Sequence, residues 1–205
     1  MKGSRPLSGN EIKRLREMFK GKMGPRNLAL FLLGANTGFR ISELLAITLG
    51  DVLNDDGSIK DVLTVSKRFV KGKKESRSVH LSVHGKRAIA PWLRIMSQRN
   101  FVQQGDALFQ RIGGGGAISR GQAWKVLTAA YRLAGLDGKL GTHAMRKTFA
   151  NNVYDHLLGR AAAGEPVDAF RETSKALGHS DIRATDKYLS FRTEDLDETI
   201  DAVGV

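Results

Sequence analysis

The chain has 205 residues, 41% of them hydrophobic and 26% charged, which suits one domain with a substantial core and excludes global disorder. It contains no cysteine, which rules out disulfides, thiolate zinc sites and thiol nucleophiles, and no apolar run approaches the ~18 residues of a membrane span. The net charge of +12 lies in residues 1–100, with 20 basic and 8 acidic side chains against 13 of each in residues 101–205, and a polyanion is the usual partner of such an excess.

Basic residues at the start have no apolar stretch behind them, so a secretory signal is not expected and a cytoplasmic location is. Ser8 and Glu11 form a capping-box pattern, and Ile12, Leu15, Met18 and Phe19 repeat at helical spacing, with Gly21 and Gly24-Pro25 expected to end that helix. A second, apolar helix is expected over 28–35, stopped by Asn36-Thr37-Gly38. A short segment over 40–47 then turns Ile41, Leu44 and Leu45 toward a core.

Asn54-Asp55-Asp56-Gly57 is a turn signal. The runs VLTVSKRFV and RSVHLSV have the β-branched character of strands and flank a polar hairpin tip, Lys71-Gly72-Lys73-Lys74-Glu75. Helical patterns resume over about 85–99, 119–133, 143–158, 168–177 and 181–188. The expected fold class is mainly α with a small antiparallel β-sheet (α+β). The Gly-rich piece Ile112-Gly113-Gly114-Gly115-Gly116 lacks a following Gly-Lys-Ser/Thr, so it is expected to be a flexible loop rather than a phosphate cradle.

Cutting a phosphodiester without metal needs a nucleophile, cations for the non-bridging oxygens and an acid for the leaving oxygen. Arginine suits the cation role because its planar fork gives two parallel hydrogen bonds to one phosphate. A tyrosine phenol can serve as nucleophile. Three segments offer such residues. NTGFRISELL places Arg40 after a glycine turn with Glu43 three residues on; THAMRKTFA sets His143 and Arg146 on one helix face; ALGHSDIRATDKYLS carries His179 and, nine residues later, Tyr188. Taken singly, each has a plainer account: a local helix ion pair, two surface residues, a half-buried packing tyrosine.

Taken together, TGFRISEL, the KGKK hairpin, HAMR and LGHSDIRATDKY resemble the tyrosine recombinase (phage integrase) family in order and separation, over nearly the whole chain. The family's signature is an arginine in T-G-x-R-x-x-E-L, a hairpin lysine, H-x-x-R, and L-G-H followed by tyrosine nine positions on. The resemblance implies a type IB topoisomerase-like catalytic fold and a site-specific recombinase or integrase that cleaves and rejoins DNA through a 3′-phosphotyrosine. By matched position, Tyr188 attacks, Arg40 and Arg146 clamp the scissile phosphate, His143 hydrogen-bonds to it, and His179 supports it and positions the nucleophile. Glu43 buttresses Arg40. The general acid falls at Lys71, with Lys73 as the alternative and Lys74 third.

Lys67, Arg68, Lys73, Lys74, Arg77 and Lys147 are expected to contact DNA. The implied partners are double-stranded DNA and further copies of the chain, as a tetramer, with no membrane, no metal and no ATP. Residues 1–192 are expected to form the catalytic domain. The segment before Arg40 resembles that domain's own first helices, which fits either a piece of a longer chain or a short member such as the fimbrial-switch invertases. Residues 193–205 form a tail with five acidic side chains and no basic one, in which Leu196, Ile200 and Val203 are spaced for docking on a neighbouring protomer. Two other classes share the motifs: a relaxing topoisomerase, and a DNA-binding regulator without chemistry.

Overall fold

The structure, a computed structural model, describes residues 4–66, 76–98, 103–114, 116–179 and 181–189. Lys67, Arg68, Lys71, Lys73 and Lys74 and the tail over 193–205 lie outside the described residues. The chain divides into two compact units, Met1–Phe149 and Ala150–Val205.

In the first unit, α1 (Gly9–Arg16) starts at the expected capping box: the Ser8 hydroxyl accepts from the Glu11 N–H, and the Glu11 carboxylate accepts from the Ser8 N–H at 2.8 Å. Arg5 adds an ion pair to Glu11 at 2.6 Å. Gly24-Pro25 does not end this helix, as the sequence suggested, but opens α2 (Gly24–Thr37). Proline suits the first helical turn, where its missing N–H has no partner to lose. Ala29, Leu30, Phe31, Leu32, Leu33 and Gly34 are buried in succession, so α2 is enclosed on every side and forms the centre of the core. It ends at Gly38, whose φ of 60° suits glycine and whose N–H donates to the Gly34 carbonyl.

Two one-turn helices follow, α3 (Ile41–Leu44) and α4 (Leu49–Val52). The second escaped the sequence reading, although Thr48 and Asp51 form a capping pair there at 2.8 Å. Strands β1 (Val62–Val65) and β2 (Arg77–His80) pair antiparallel, with Val62 opposite His80 and Val65 opposite Arg77. Leu63 and Val65 point inward from β1. The two-residue period of β2 turns Arg77 to the same side as Val79 and, just beyond the strand, the buried Leu81.

Helix α5 (Val83–Ser97) packs along α2 through Ala88, Ile89, Trp92 and Met96, and the Trp92 indole N–H is satisfied by the Leu108 carbonyl at 2.7 Å. Helix α6 (Arg120–Leu133) begins at a Ser119 cap. The leading segment is stitched to the far end of this unit. Arg5 donates its main-chain N–H to the Lys139 carbonyl and its Nε to the Asp137 carbonyl, and the Leu7 N–H donates to Thr148 Oγ1 at 2.9 Å.

Helix α7 (His143–Ala162) contains the unit boundary. The second unit continues with α8 (Ala169–Ala176), capped by Asp168, and α9 (Arg183–Leu189), which pack on each other. The expected mainly helical fold with one small antiparallel sheet is what the structure contains. No helix among the described residues is long and apolar enough to cross a membrane.

Candidate active site

The first unit gathers three arginines around a glycine turn and one carboxylate. Arg40 stands immediately before α3, and Glu43 occupies the third helical position, where a carboxylate can reach back to the N–H groups at the helix start. Glu43 is fully buried. Its carboxylate accepts from the Arg40 main-chain N–H at 2.7 Å and from Arg40 Nη1 at 2.9 Å. Its Oε2 also accepts from Arg77 Nη1 at 3.2 Å. The Glu43–Arg40 spacing expected to serve as a buttress is therefore present, and it holds main chain and side chain at once.

Arg77, expected to contact DNA, is enclosed by protein in this structure. Its side chain is 7% exposed. Besides Glu43, it donates to the Gly38 carbonyl at 3.3 Å and, through Nη2, to the Thr37 carbonyl at 3.1 Å, while its guanidinium lies 4.6 Å from the centre of the Phe39 ring. These carbonyls close α2, where backbone acceptors lack helical partners and the helix dipole favours a cation. Burial and the charge of Arg146 push the Arg77 guanidinium down to about 10, against the pull of Glu43.

Arg146 is also buried and donates Nη1 to the Gly38 carbonyl. A single carbonyl thus takes hydrogen bonds from two arginines. Gly38 leaves room for nothing else, since a Cβ built on it would stand 2.3 Å from the Phe149 ring. Thr148, one turn after Ala144, donates to the Ala144 carbonyl at 2.8 Å while accepting from Leu7.

His143 opens α7 on the exposed side. Loss of water around the ring, and then the charges of Arg146, Arg40, Lys147 and Arg120, hold it below its ordinary value. Lys147, expected to contact DNA, is largely buried, and burial lowers its ammonium as well.

The second unit holds the other two candidates. Gly178 follows α8 with φ 63°; its N–H donates to the Lys175 carbonyl at 2.8 Å, and the His179 N–H donates to the Ser174 carbonyl at 3.0 Å. This crossed pair is a Schellman ending, so Leu-Gly-His is one piece of helix-stop chemistry: a buried Leu177, a left-handed glycine and a fixed histidine. The His179 Nδ1 shares a 2.8 Å hydrogen bond with the hydroxyl of Thr185, which is fully buried. The rings of His179 and Tyr188 have centroids 5.2 Å apart at 40°. The Tyr188 carbonyl accepts from Asn151 Nδ2 at 3.2 Å. Thr185, Gly38 and Arg77 are the contributors that the motifs did not single out for these roles.

A model described as the phage integrase family matches residues 5–194. The chain is 29% identical over 166 residues to a probable integrase/recombinase, YoeC, of Bacillus subtilis, covering 81% of this chain and 78% of that protein. It is 33% identical over 177 residues to the tyrosine recombinase XerD of Corynebacterium glutamicum and 30% identical over 187 residues to XerC of Myxococcus xanthus. These matches cover 84% and 89% of this chain but only 51% and 56% of those proteins, so it spans about half their length. The fold is shared with XerA recombinase, at TM-score 0.73 and 20% identity over 100% of this chain and 67% of that one. It is shared also with XerH bound to its palindromic difH substrate after cleavage, at TM-score 0.70 and 21% identity over 97% of this chain and 53% of that one.

Proposed function

The chain belongs to the phage integrase family, and from that premise we propose that it breaks and rejoins double-stranded DNA at specific sites through a phosphotyrosine on Tyr188. The observation that carries this reading is the clustering of Arg40 and Arg146 around the Gly38–Glu43 turn. Two guanidiniums anchored in this way are held in place before a phosphate arrives, and pre-placed cations are what stabilises a transition state gaining negative charge.

In the proposed reaction the Tyr188 hydroxyl releases its proton to water as its oxygen forms a bond to the scissile phosphorus, and the bond from phosphorus to the 5′ oxygen breaks. The phosphate moves from one ester to another, so no hydrolysis occurs and no external energy source enters. The departing 5′ oxygen takes a proton from a hairpin lysine, Lys71 or Lys73. Arg40 and Arg146 bind the non-bridging oxygens, His143 donates a hydrogen bond to them, and His179 supports the phosphate beside the tyrosine ring. The excess of positive charge in residues 1–100 supplies attraction for the DNA backbone. DNA is also the partner named for a second neighbour of this fold, the Tn1549 transposon integrase in complex with circular intermediate DNA. Assembly into a tetramer, with the acidic tail docking in trans, belongs to the same reading.

The test uses nicked, end-labelled duplex from the native locus, incubated with the protein in EDTA and run on a denaturing gel. Nicking lets the short 5′ fragment leave, which traps the adduct. A shifted band from the unaltered chain, missing with Tyr188→Phe, is expected. No band on DNA that the protein binds would favour a DNA-binding regulator instead.

A further inference from the structure

We propose that Arg77 is a positioning residue for this reaction, acting through Glu43 and the Gly38 carbonyl to hold Arg40 and Arg146 in register, and that it does not contact DNA. The inference rests on the phosphotyrosine reading given above.

Arg77 makes several hydrogen bonds, and they lead to both sides of one turn. From β2 its planar fork spans two successive elements: Nη2 and Nη1 hold the Thr37 and Gly38 carbonyls at the end of α2, and Nη1 also holds Glu43 in α3. Between Gly38 and Glu43 lie four residues, among them Phe39, whose ring the guanidinium covers, and Arg40. Arg77 thus fixes both ends of the turn from which Arg40 projects. Two of the acceptors of Arg77 are shared with a proposed phosphate ligand: Glu43 with Arg40, and the Gly38 carbonyl with Arg146. A lysine at this position would keep the charge. Its single ammonium could not reach three acceptors in the geometry of a fork.

The direction of its donors separates this role from DNA contact. The Arg77 fork is turned onto protein acceptors, the Thr37 and Gly38 carbonyls and the Glu43 carboxylate. In sequence, β2 also follows directly on the segment that carries Lys71 and Lys73. Arg77 therefore ties the strand leading from the proposed acid to the two arginines. A shift of about 1 Å in such a frame lowers a chemical step by ~100-fold with little change in binding.

The experiment measures DNA affinity and the single-turnover rate of adduct formation separately, at saturating nicked duplex, for the unaltered chain, Arg77→Lys, Glu43→Gln and the double variant. Thermal melts confirm that each is folded. For Arg77→Lys the expected result is an affinity within about twofold of the unaltered chain and a rate reduced by ~100-fold. The double variant is expected within about threefold of the slower single one, because the two residues act on one element. An Arg77→Lys rate within threefold of the unaltered chain overturns the proposal. So does a loss of affinity with an unchanged saturated rate, which would make Arg77 a DNA contact. Independent, multiplying losses in the double variant, or a variant without a cooperative melt, would reassign Arg77 to folding alone. Absence of adduct from the unaltered chain would bring down the functional reading itself, a result distinct from all of these.

Discussion

Glu43 meets Arg77 at 3.2 Å with none of its own side chain exposed, and the same carboxylate holds Arg40 at 2.9 Å. One buried negative charge therefore serves two positive ones. Arg77 is nearly as enclosed as Glu43, whereas Arg40 keeps 27% of its side chain exposed. The inner pair is structural, and the outer arginine is left accessible to a phosphate. Removing the shared carboxylate strands Arg77 in the interior. Glu43→Ala is expected to destabilise the fold by about 3–5 kcal/mol, the usual cost of breaking a buried pair from one side. Glu43→Gln should lose less, because its amide oxygen still accepts. Urea unfolding measures both, and equal, small losses would contradict the account.

Gly38 carries two demands at once, a left-handed φ of 60° and the Phe149 ring against its α-carbon. The backbone preference alone costs an alanine about 1 kcal/mol, and the ring must also move. Gly38→Ala is expected to destabilise by more than that. It should also slow adduct formation, since the carbonyl bonded by Arg146 and Arg77 moves with the turn. Retention of both stability and rate would show that the turn is not the frame proposed here.

Acid should weaken the first unit in two stages. Glu11 is held down to about 2 from 4.5, first by its hydrogen bond from Arg5, so the unfolded chain binds more protons between those values. Its contribution is complete above 4.5 and lost as pH falls through about 2. His143 is also lowered, from 6.5, chiefly by lost solvent, so its share is present above 6.5 and declines as pH falls toward its folded value. Unfolding free energies measured across pH should fall in both windows. Glu11→Gln should flatten the lower window and His143→Gln the upper.

Thr185 is fully buried and bonded to His179 Nδ1, which fixes the ring that lies beside Tyr188. Thr185→Val keeps the shape and removes the bond. Adduct formation is expected to slow by roughly 10-fold, the value of about 1.4 kcal/mol of lost orientation, with DNA affinity unchanged. Thr185→Ser should restore most of the rate. An equal loss with serine would point to packing rather than the hydroxyl.

Much of this was open to a reading of residues alone. The capping box at Ser8 and Glu11, the Arg40–Glu43 spacing, the two-strand sheet and the helices from α5 to α9 follow from local periodicity and local hydrogen bonding. Other features were legible but not drawn out. Arg77, Val79 and Leu81 alternate along β2 and the residue after it, a period from which the enclosure of Arg77 could have been read. Gly24-Pro25 reads equally well as a stop or a start, and only the enclosure of α2 decides. The Gly38 carbonyl and the Thr185 hydroxyl left no trace in the motifs, because a backbone acceptor has no letter and a buried threonine has no distinctive neighbour pattern.

The seam between the leading residues and α7 bears on how the protein can be handled. Arg5 and Leu7 hydrogen-bond to Lys139, Asp137 and Thr148, within a few residues of His143 and Arg146 on either side. A protease cut or a trimmed boundary at residue 8 would spare every proposed catalytic side chain while unfastening the helix start that presents two of them. A tag, or any domain joined ahead of residue 4, would pull on that same seam, so the leading residues are a mechanical lever on the site.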